Sequence, residues 1–243
     1  MNKENLLFLD TETTGLGPDD RLFQVAYSFL GKQYNELFKP PVPITIDSMV
    51  VSHVTNEMVS DKKPFEGSDM QKDLHVLLKE NILVAHNTRF DEEMLRREGL
   101  EVTRSIDTYK ISHYLDEKGE VPKHSLQYLR YYYTLDKDAV AHDALGDVLI
   151  LEALFEKFFS QMMEKYSDES KCIEAMMQIS SKPLFMKKFN FGKHNGRDVR
   201  DVAQEDIGYV RWLLNEKIMQ RERGEGNDED WIYTLDLCEK GNI

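Results

Sequence analysis

Four acids and one histidine stand where chemistry could occur. Asp10 and Glu12 are separated by one residue at the end of a short apolar run, NLLFLD. On a strand, side chains two residues apart share a face, so both carboxylates can reach one ion. Asp91 follows a second apolar run, ILVAHNTRF, and Asp147 lies early in a long helical pattern, with His142 five positions before it. Hard cations such as Mg²⁺ take oxygen ligands and prefer one or two carboxylates plus substrate phosphate. Each residue alone also has a plainer reading. D-x-E is common on surface strands, Asp91 could simply complement a helix dipole, Asp147 could be an exposed helix position, and His142 an N-terminal helix residue without chemistry. Five helical residues rotate about 140°, so His142 and Asp147 should not share a helix face. His142 is expected in a loop or just before the helix.

The elements that must position these residues read as follows. NLLFLD at 5–10 is a buried strand with Asp10 at its end, and TETTGLGPDD is a loop. RLFQVAYSFLG and QYNELFKP are two further strands turning near Gly31, and the prolines of PPVP end the meander. IDSMVVSHVTNEMV begins a short helix, and 68–80 is a helix with Ser68 as cap and Met70, Leu74, Leu77 and Leu78 at helical spacing. NILVAHN is another buried strand, and TRFDEEMLRREGL is a helix stopped by Gly99. Two helices follow, then the long amphipathic stretch HDALGDVLILEALFEKFFSQMMEKY and another helix before Pro183. The order of strands, then alternating helix and strand, then helices predicts an α/β sandwich on a mixed sheet of five strands, with a small appended α+β module.

Composition bounds the class. The chain has 243 residues, 41% hydrophobic and 31% charged, with 31 basic against 44 acidic residues and a net charge of −13. That is ordinary globular composition. No apolar run approaches the roughly 18 to 20 residues of a bilayer span, and the short apolar stretch in MNKENLLFLD is not a secretory h-region. No membrane association is expected. Cys172 and Cys238 are too few and too far apart for a metal knuckle or disulfide scaffold. They read as free thiols of a cytoplasmic protein. The negative charge argues against passive coating of polyanions. It leaves metal-dependent enzymes open, because bound cations reverse the local field.

Three blocks, LDTETTG with FQVAY, then AHNTRFD, then AHDALGD, together resemble the signature of the DEDD family of 3′→5′ exonucleases. The spacing from His142 to Asp147 is that of the histidine-bearing branch, and the resemblance covers roughly residues 5–160. It implies a ribonuclease-H-like fold, with Asp10, Glu12, Asp91 and Asp147 holding two divalent cations, Mg²⁺ or Mn²⁺, and His142 as general base. Two such ions about 4 Å apart clamp the attacking and leaving oxygens of a phosphodiester, and an imidazole with a pKa near 6.5 can take a proton at neutral pH. By the same resemblance, Thr11, Thr13, Gly15 and Leu16 seat the 3′-terminal nucleotide, with Leu16 at an apolar wedge position. His53 and Thr55, in H-x-[IV]-T, lie near that nucleotide, as do Asn87 and Phe90. Phe90 reads more readily as core. Asp107-Thr108 marks a later strand or its exit and is structural. His86, His113 and His124 are assigned no metal or catalytic role. The tyrosines Tyr128, Tyr131, Tyr132 and Tyr133 read as packing on the sheet rather than stacking on bases.

From about residue 184 the composition changes. FNFGKHNGRDVRDV followed by DIGYVRWLL resembles the small C-terminal module of exonucleases related to exonuclease X. Within 186–200, five basic residues, Lys187, Lys188, Lys193, Arg197 and Arg200, face one acid, Asp198, a net charge of +4. Lys193 and Arg197 are the expected nucleic-acid contacts of this island, a basic solvated hairpin being the plainer alternative. Trp212 and Trp231 are expected in the module's core. The expected division is an exonuclease domain at 1–166, a helical linker at 167–185 and the module at 186–243. The resemblance implies release of nucleoside 5′-monophosphates from single-stranded 3′ ends, DNA before RNA. An RNA-trimming enzyme, or a proofreading subunit with a polymerase or repair partner, is the alternative.

Overall fold

The run LLFLDTET forms the central strand β1 (Leu6–Thr13), whose two faces serve different layers. Leu7 and Leu9 join a cluster with Leu74, Leu78 and Leu95. Phe8 points the other way and meets Phe155 edge-on, ring centroids 5.4 Å apart. A computed structural model describes residues 4–135, 144–223 and 228–242.

β2 (Leu22–Phe29) and the exposed edge strand β3 (Lys32–Leu37) complete an antiparallel meander. β4 (Ile82–Ala85) and β5 (Ser105–Asp107) add in parallel on the other side of β1. The sheet order is β3-β2-β1-β4-β5, the mixed five-stranded, ribonuclease-H-like sheet that was expected. β1 does not end at Asp10. Glu12 pairs with Gln24 and Thr13 with Leu22, across a register shift between the two, so the first residues of TETTG are strand rather than loop.

Helices cover both faces. α1 (Ile46–Ser52) follows the meander, and α2 (Asp69–Glu80) starts where the Ser68 hydroxyl accepts from the Gln71 N–H. α2 and α3 (Thr88–Arg97) supply Leu74, Leu78 and Leu95 to the cluster beneath Leu7 and Leu9. The opposite face takes α6 (Ala144–Met163), with α4 (Thr108–Leu115), α5 (Leu126–Tyr132) and α7 (Glu169–Ser180) packed around it. α6 reads as amphipathic in sequence, but helices beside it and the sheet beneath bury Val148, Leu151, Leu154, Phe155 and Phe158 alike. A helix covered on several sides is apolar on several sides. In α5, Leu129 is the buried residue; Tyr131 and Tyr132 are exposed, contrary to the packing expected of them, whereas Tyr133 does pack, edge-on to Phe158 at 5.9 Å.

The chain forms two compact units, Met1–Leu115 with Lys123–Ser180, and Asp116–Pro122 with Ser181–Ile243. α7, within the stretch read as a linker, contacts β5 and α4 of the first unit. The second unit holds a 3-10 turn at Gly192–His194 and helices α8 (Val199–Glu205), α9 (Ile207–Glu222) and α10 (Glu229–Glu239). Its β component is the bridge between Lys188 and Asp198. Lys187 and Lys188 hold the 116–122 segment by donating to the carbonyls of Asp116 and Gly119. Trp231 is buried and stacks on Phe189, centroids 5.0 Å apart at 22°. Trp212 is not core: it is 58% exposed on the outer side of α9, whose inward residues are Val210, Leu213 and Leu214. No helix among the described residues is long and apolar enough to cross a membrane.

Candidate active site

Strand alternation puts Asp10 and Glu12 on the same face of β1 as Phe8, the face covered by α6. Asp147 lies in the first turn of α6. Carboxylate oxygens of Asp10, Glu12 and Asp147 all come within 4.8 Å of one another. The cluster sits past the last β1–β4 pair, Phe8 with Val84, at the carboxyl ends of two parallel strands, where open α/β sheets place their ligand sites.

Asp91 is not a member of that cluster. It is 4% exposed in the first turn of α3, and Thr11 Oγ1 donates to its Oδ1 at 2.8 Å. Thr11 alternates with Asp10 and Glu12, so its side chain points to the α3 face of β1. Asp91 thus approaches the end of β1 from the reverse side. Burial pushes its carboxyl well above the usual range, the Thr11 hydroxyl lowers it, and the charge of Asp107 raises it further.

Asp107 organises the turn that delivers Asp91. Its Oδ1 accepts from the N–H groups of Asn87 and Tyr109, each at 2.9 Å, while burial lifts its pKa to about 6. Asn87, the residue before α3, is held at φ +67°. Asn and Asp tolerate this left-handed region better than most residues. Thr108 donates to the Ala85 carbonyl, so the D-T pair is structural, as expected. His86 contacts Thr108 Oγ1 at 2.9 Å and the His124 carbonyl at 2.7 Å. Burial holds its pKa down at about 4. His113 and His124 stack on each other, centroids 3.6 Å apart. Phe90 is half-buried.

One residue escapes the sequence motifs. Gln127, in α5, donates through Nε2 to Asp147 Oδ1. Its Oε1 is buried and has no hydrogen-bond partner among the described residues. An orphaned buried acceptor costs about 1–3 kcal/mol, and here it lies on the residue that holds one acid of the cluster. The donor set of three carboxylates with an amide oxygen nearby is all oxygen, which fits a hard divalent ion such as Mg²⁺ or Mn²⁺. A lone glutamine in a helix of aromatics carries no sequence signal.

The loop after β1 is tightly held. Asp20 accepts from Thr14 Oγ1 and from the Gly17 N–H, each at 2.6 Å. A Cβ at Gly15 would come within 2.6 Å of Asp20 Oδ2 and push that side chain off Thr14 and Gly17. Arg97 of α3 donates to the carbonyls of Gly17 and Asp20. The result is a fixed turn presenting Leu16, 85% exposed. Thr13 Oγ1 donates to the Gly15 carbonyl, so, as with Thr11, its hydroxyl is used inside the protein. Ser48 of α1 donates to the Thr13 carbonyl and the Thr45 N–H to that of Thr14. These bonds bring α1 against the loop. Exposed His53 caps the C-terminus of α1 at φ +59°, followed by buried Val54 and exposed Thr55.

In the second unit, Lys193 pairs with Asp206 at 2.7 Å and Arg197 with Glu205 at 2.5 Å. Two of the island's five basic residues are therefore matched by acids from α8 and the start of α9. His142 lies outside the described residues.

Comparison with known proteins agrees with this geometry. The exonuclease family profile matches residues 7–155, and the exodeoxyribonuclease X-like C-terminal profile matches residues 189–217. Exodeoxyribonuclease 10 of Escherichia coli strain K12 is 30% identical over 223 residues, covering 86% of this chain and 90% of its own. DNA polymerase III subunit epsilon of Buchnera aphidicola subsp. Schizaphis graminum is 29% identical over 177 residues, covering 63% of this chain and 74% of its own. Among solved structures, exonuclease X in complex with 5′ overhanging duplex DNA superposes with a TM-score of 0.54 at 25% identity. That match covers 72% of this chain and 99% of the other. The chain belongs to the DEDD family of 3′→5′ exonucleases and carries an exodeoxyribonuclease X-like C-terminal module.

Proposed function

We propose that this exonuclease releases nucleoside 5′-monophosphates from the 3′ ends of DNA, single strands above all, with two Mg²⁺ or Mn²⁺ ions held by Asp10, Glu12, Asp91 and Asp147. The observation that carries the reading is the cluster of Asp10, Glu12 and Asp147 at the carboxyl ends of parallel strands. Asp91, one strand face away and held by Thr11, is the fourth ligand. When bound, the ions supply Lewis acidity at the scissile phosphate. His142 takes the proton of the attacking water as its oxygen bonds to phosphorus. The bond from phosphorus to the 3′ oxygen of the shortened strand breaks, and that oxygen takes a proton from solvent to become the new 3′ hydroxyl.

The remaining residues seat the terminal nucleotide. Gly15 and Leu16 present the rigid turn, while Thr11 and Thr13 contribute backbone, since both hydroxyls are donated internally. His53 and Thr55, docked beside the turn through Ser48, flank the terminal sugar and base, with Asn87 and Phe90 on the α3 side. Lys193 and Arg197 add phosphate contacts in the C-terminal module. The matched relatives act on DNA by name, which favours DNA over RNA. Likeness to the epsilon subunit supports a second reading, a proofreading role beside a polymerase. A cytoplasmic location suits the two buried free thiols.

The test is digestion of 5′-labelled single-stranded DNA, duplex DNA and RNA with Mg²⁺. The expected result is a ladder shortening from the 3′ end, fastest on single-stranded DNA, releasing 5′-monophosphates and abolished by EDTA. Internal cuts, 3′-monophosphate products or preference for RNA would refute the reading. Activity appearing only with a co-purified polymerase would establish the second reading.

A further inference from the structure

We infer that the C-terminal unit carries a stacking site for an unpaired nucleobase of a nucleic-acid strand, with Trp212 as its platform and Lys193 as the adjoining phosphate contact. This rests on the proposed nucleic-acid substrate but assigns a site outside the acidic cluster.

Trp212 projects from α9 with 58% of its surface exposed. It leans on Tyr209 one turn earlier, ring centroids 5.6 Å apart at 37°. Tyr209 meets His194 edge-on at 4.7 Å, and Lys193 Nζ sits 4.7 Å from the Tyr209 ring centroid. One carboxylate organises the group: Asp206 Oδ2 lies 2.7 Å from Lys193 Nζ and 3.1 Å from His194 Nε2, and its Oδ1 accepts from the Tyr209 N–H at the start of α9. Those hydrogen bonds, that of Lys193 first, hold Asp206 down at about 2, so it stays ionised across the working range. Gly192, at φ +67°, closes the other side, where an added Cβ would meet the Tyr209 hydroxyl at 2.9 Å.

The aromatic platform is therefore fixed before any ligand arrives. An exposed indole, a second ring leaning on it and an ammonium group over that second ring match a base with its flanking phosphate. Every base has a π-face, so stacking of this kind tolerates any sequence. A protein partner of purely apolar character is disfavoured by the Lys193–Asp206 ion pair beside Tyr209, the ring on which Trp212 leans. With Lys193 already paired to Asp206, the indole carries most of the binding.

The chain has two tryptophans, and the other, Trp231, is 4% exposed, so quenching of the intrinsic fluorescence by a stacked base reports on Trp212. The full-length protein in EDTA is titrated with oligothymidylate, which it then binds without cleaving. Wild type and Trp231→Phe should both show quenching that saturates. Trp212→Phe should show none, and Trp212→Ala should bind the labelled strand about tenfold more weakly, as loss of one stacked base implies. Undiminished quenching in Trp212→Phe together with wild-type affinity in Trp212→Ala would overturn the site. Far-ultraviolet circular dichroism checks that both variants fold, as substitution of an exposed side chain allows. Failure of the catalytic reading shows separately, as absence of Mg²⁺-dependent cleavage of thymidine 5′-monophosphate p-nitrophenyl ester by the wild-type protein.

Discussion

The two charged regions of the molecule are built in opposite ways. In the nuclease unit, Asp10, Glu12 and Asp147 come from elements far apart in sequence and bring like charges within 4.8 Å. In the C-terminal unit, opposite charges from neighbouring turns neutralise each other, Lys193 with Asp206 and Arg197 with Glu205. The first arrangement is unfavourable without a cation and favourable with one. The second is already balanced at these two pairs before a ligand binds. The contrast teaches that density of charge in a sequence is a poor guide to where binding energy lies. The −13 chain gathers like charge at a few acids of one site, while two of the five cations in its basic island are already paired with acids.

The largest break in this comparison is Asp147→Asn. It removes one acid while keeping the shape, and turnover should fall by about 10³-fold or more, since a divalent ion contributes several kcal/mol at a phosphoryl oxygen. The metal-free variant should melt slightly higher than the metal-free wild type, because like-charge repulsion is relieved. A lower melting temperature would mean that the cluster is not repulsive.

Next is a pH effect confined to the nuclease unit. His86 has its pKa depressed to about 4 by burial, so the unfolded chain binds its proton first. Its contribution to stability is complete above about 6.5 and is lost as pH falls towards 4, about 3 kcal/mol in all. Asp107, raised to about 6 by burial, works in the other sense, its contribution being lost as pH rises through 6. His86→Gln isolates the histidine: between pH 7 and pH 4.5 its melting temperature should drop less than that of wild type. Equal drops would place the acid sensitivity elsewhere.

Gln127→Leu should lower turnover about tenfold, roughly 1.4 kcal/mol, and raise the Mg²⁺ concentration needed for half-maximal rate. Gln127→Glu, which adds an oxygen ligand beside Asp147, should recover the Mg²⁺ dependence. If Leu and Glu variants matched wild type, the bond to Asp147 would be incidental. The smallest effect belongs to the paired basic residues. Changing Lys193 and Arg197 together to Ala should weaken binding of a long strand a few-fold and reduce the salt slope by about 1–2. An unchanged slope would remove both from the interface.

The legibility of the molecule followed the range of the interactions. Asp10 and Glu12 could be read because alternation along one strand is local, and their motif continues into Thr13. The five-stranded sheet was also legible, although β5 spans only Ser105–Asp107 and came from the D-T resemblance rather than from periodicity. Trp212 was misread because a tryptophan among apolar residues of a helix is usually core. Only the packing of Val210, Leu213 and Leu214 decides which side of α9 faces inward. The exposure of Tyr131 and Tyr132 escaped for the same reason, with Leu129 taking the buried place. Gln127 was invisible, since its meaning depends on Asp147, twenty residues away on another helix. The bond from Thr11 to Asp91 spans eighty residues, beyond any local pattern.

The most direct test of the central claim is Mn²⁺ binding followed by electron paramagnetic resonance in wild type and Asp10→Ala, beside single-strand digestion by the same preparations. The account predicts saturable Mn²⁺ binding by the wild type, its loss or severe weakening in Asp10→Ala, and parallel loss of digestion from the 3′ end. Tight Mn²⁺ binding and undiminished digestion in Asp10→Ala would contradict it and move the reaction away from the acidic face of the sheet.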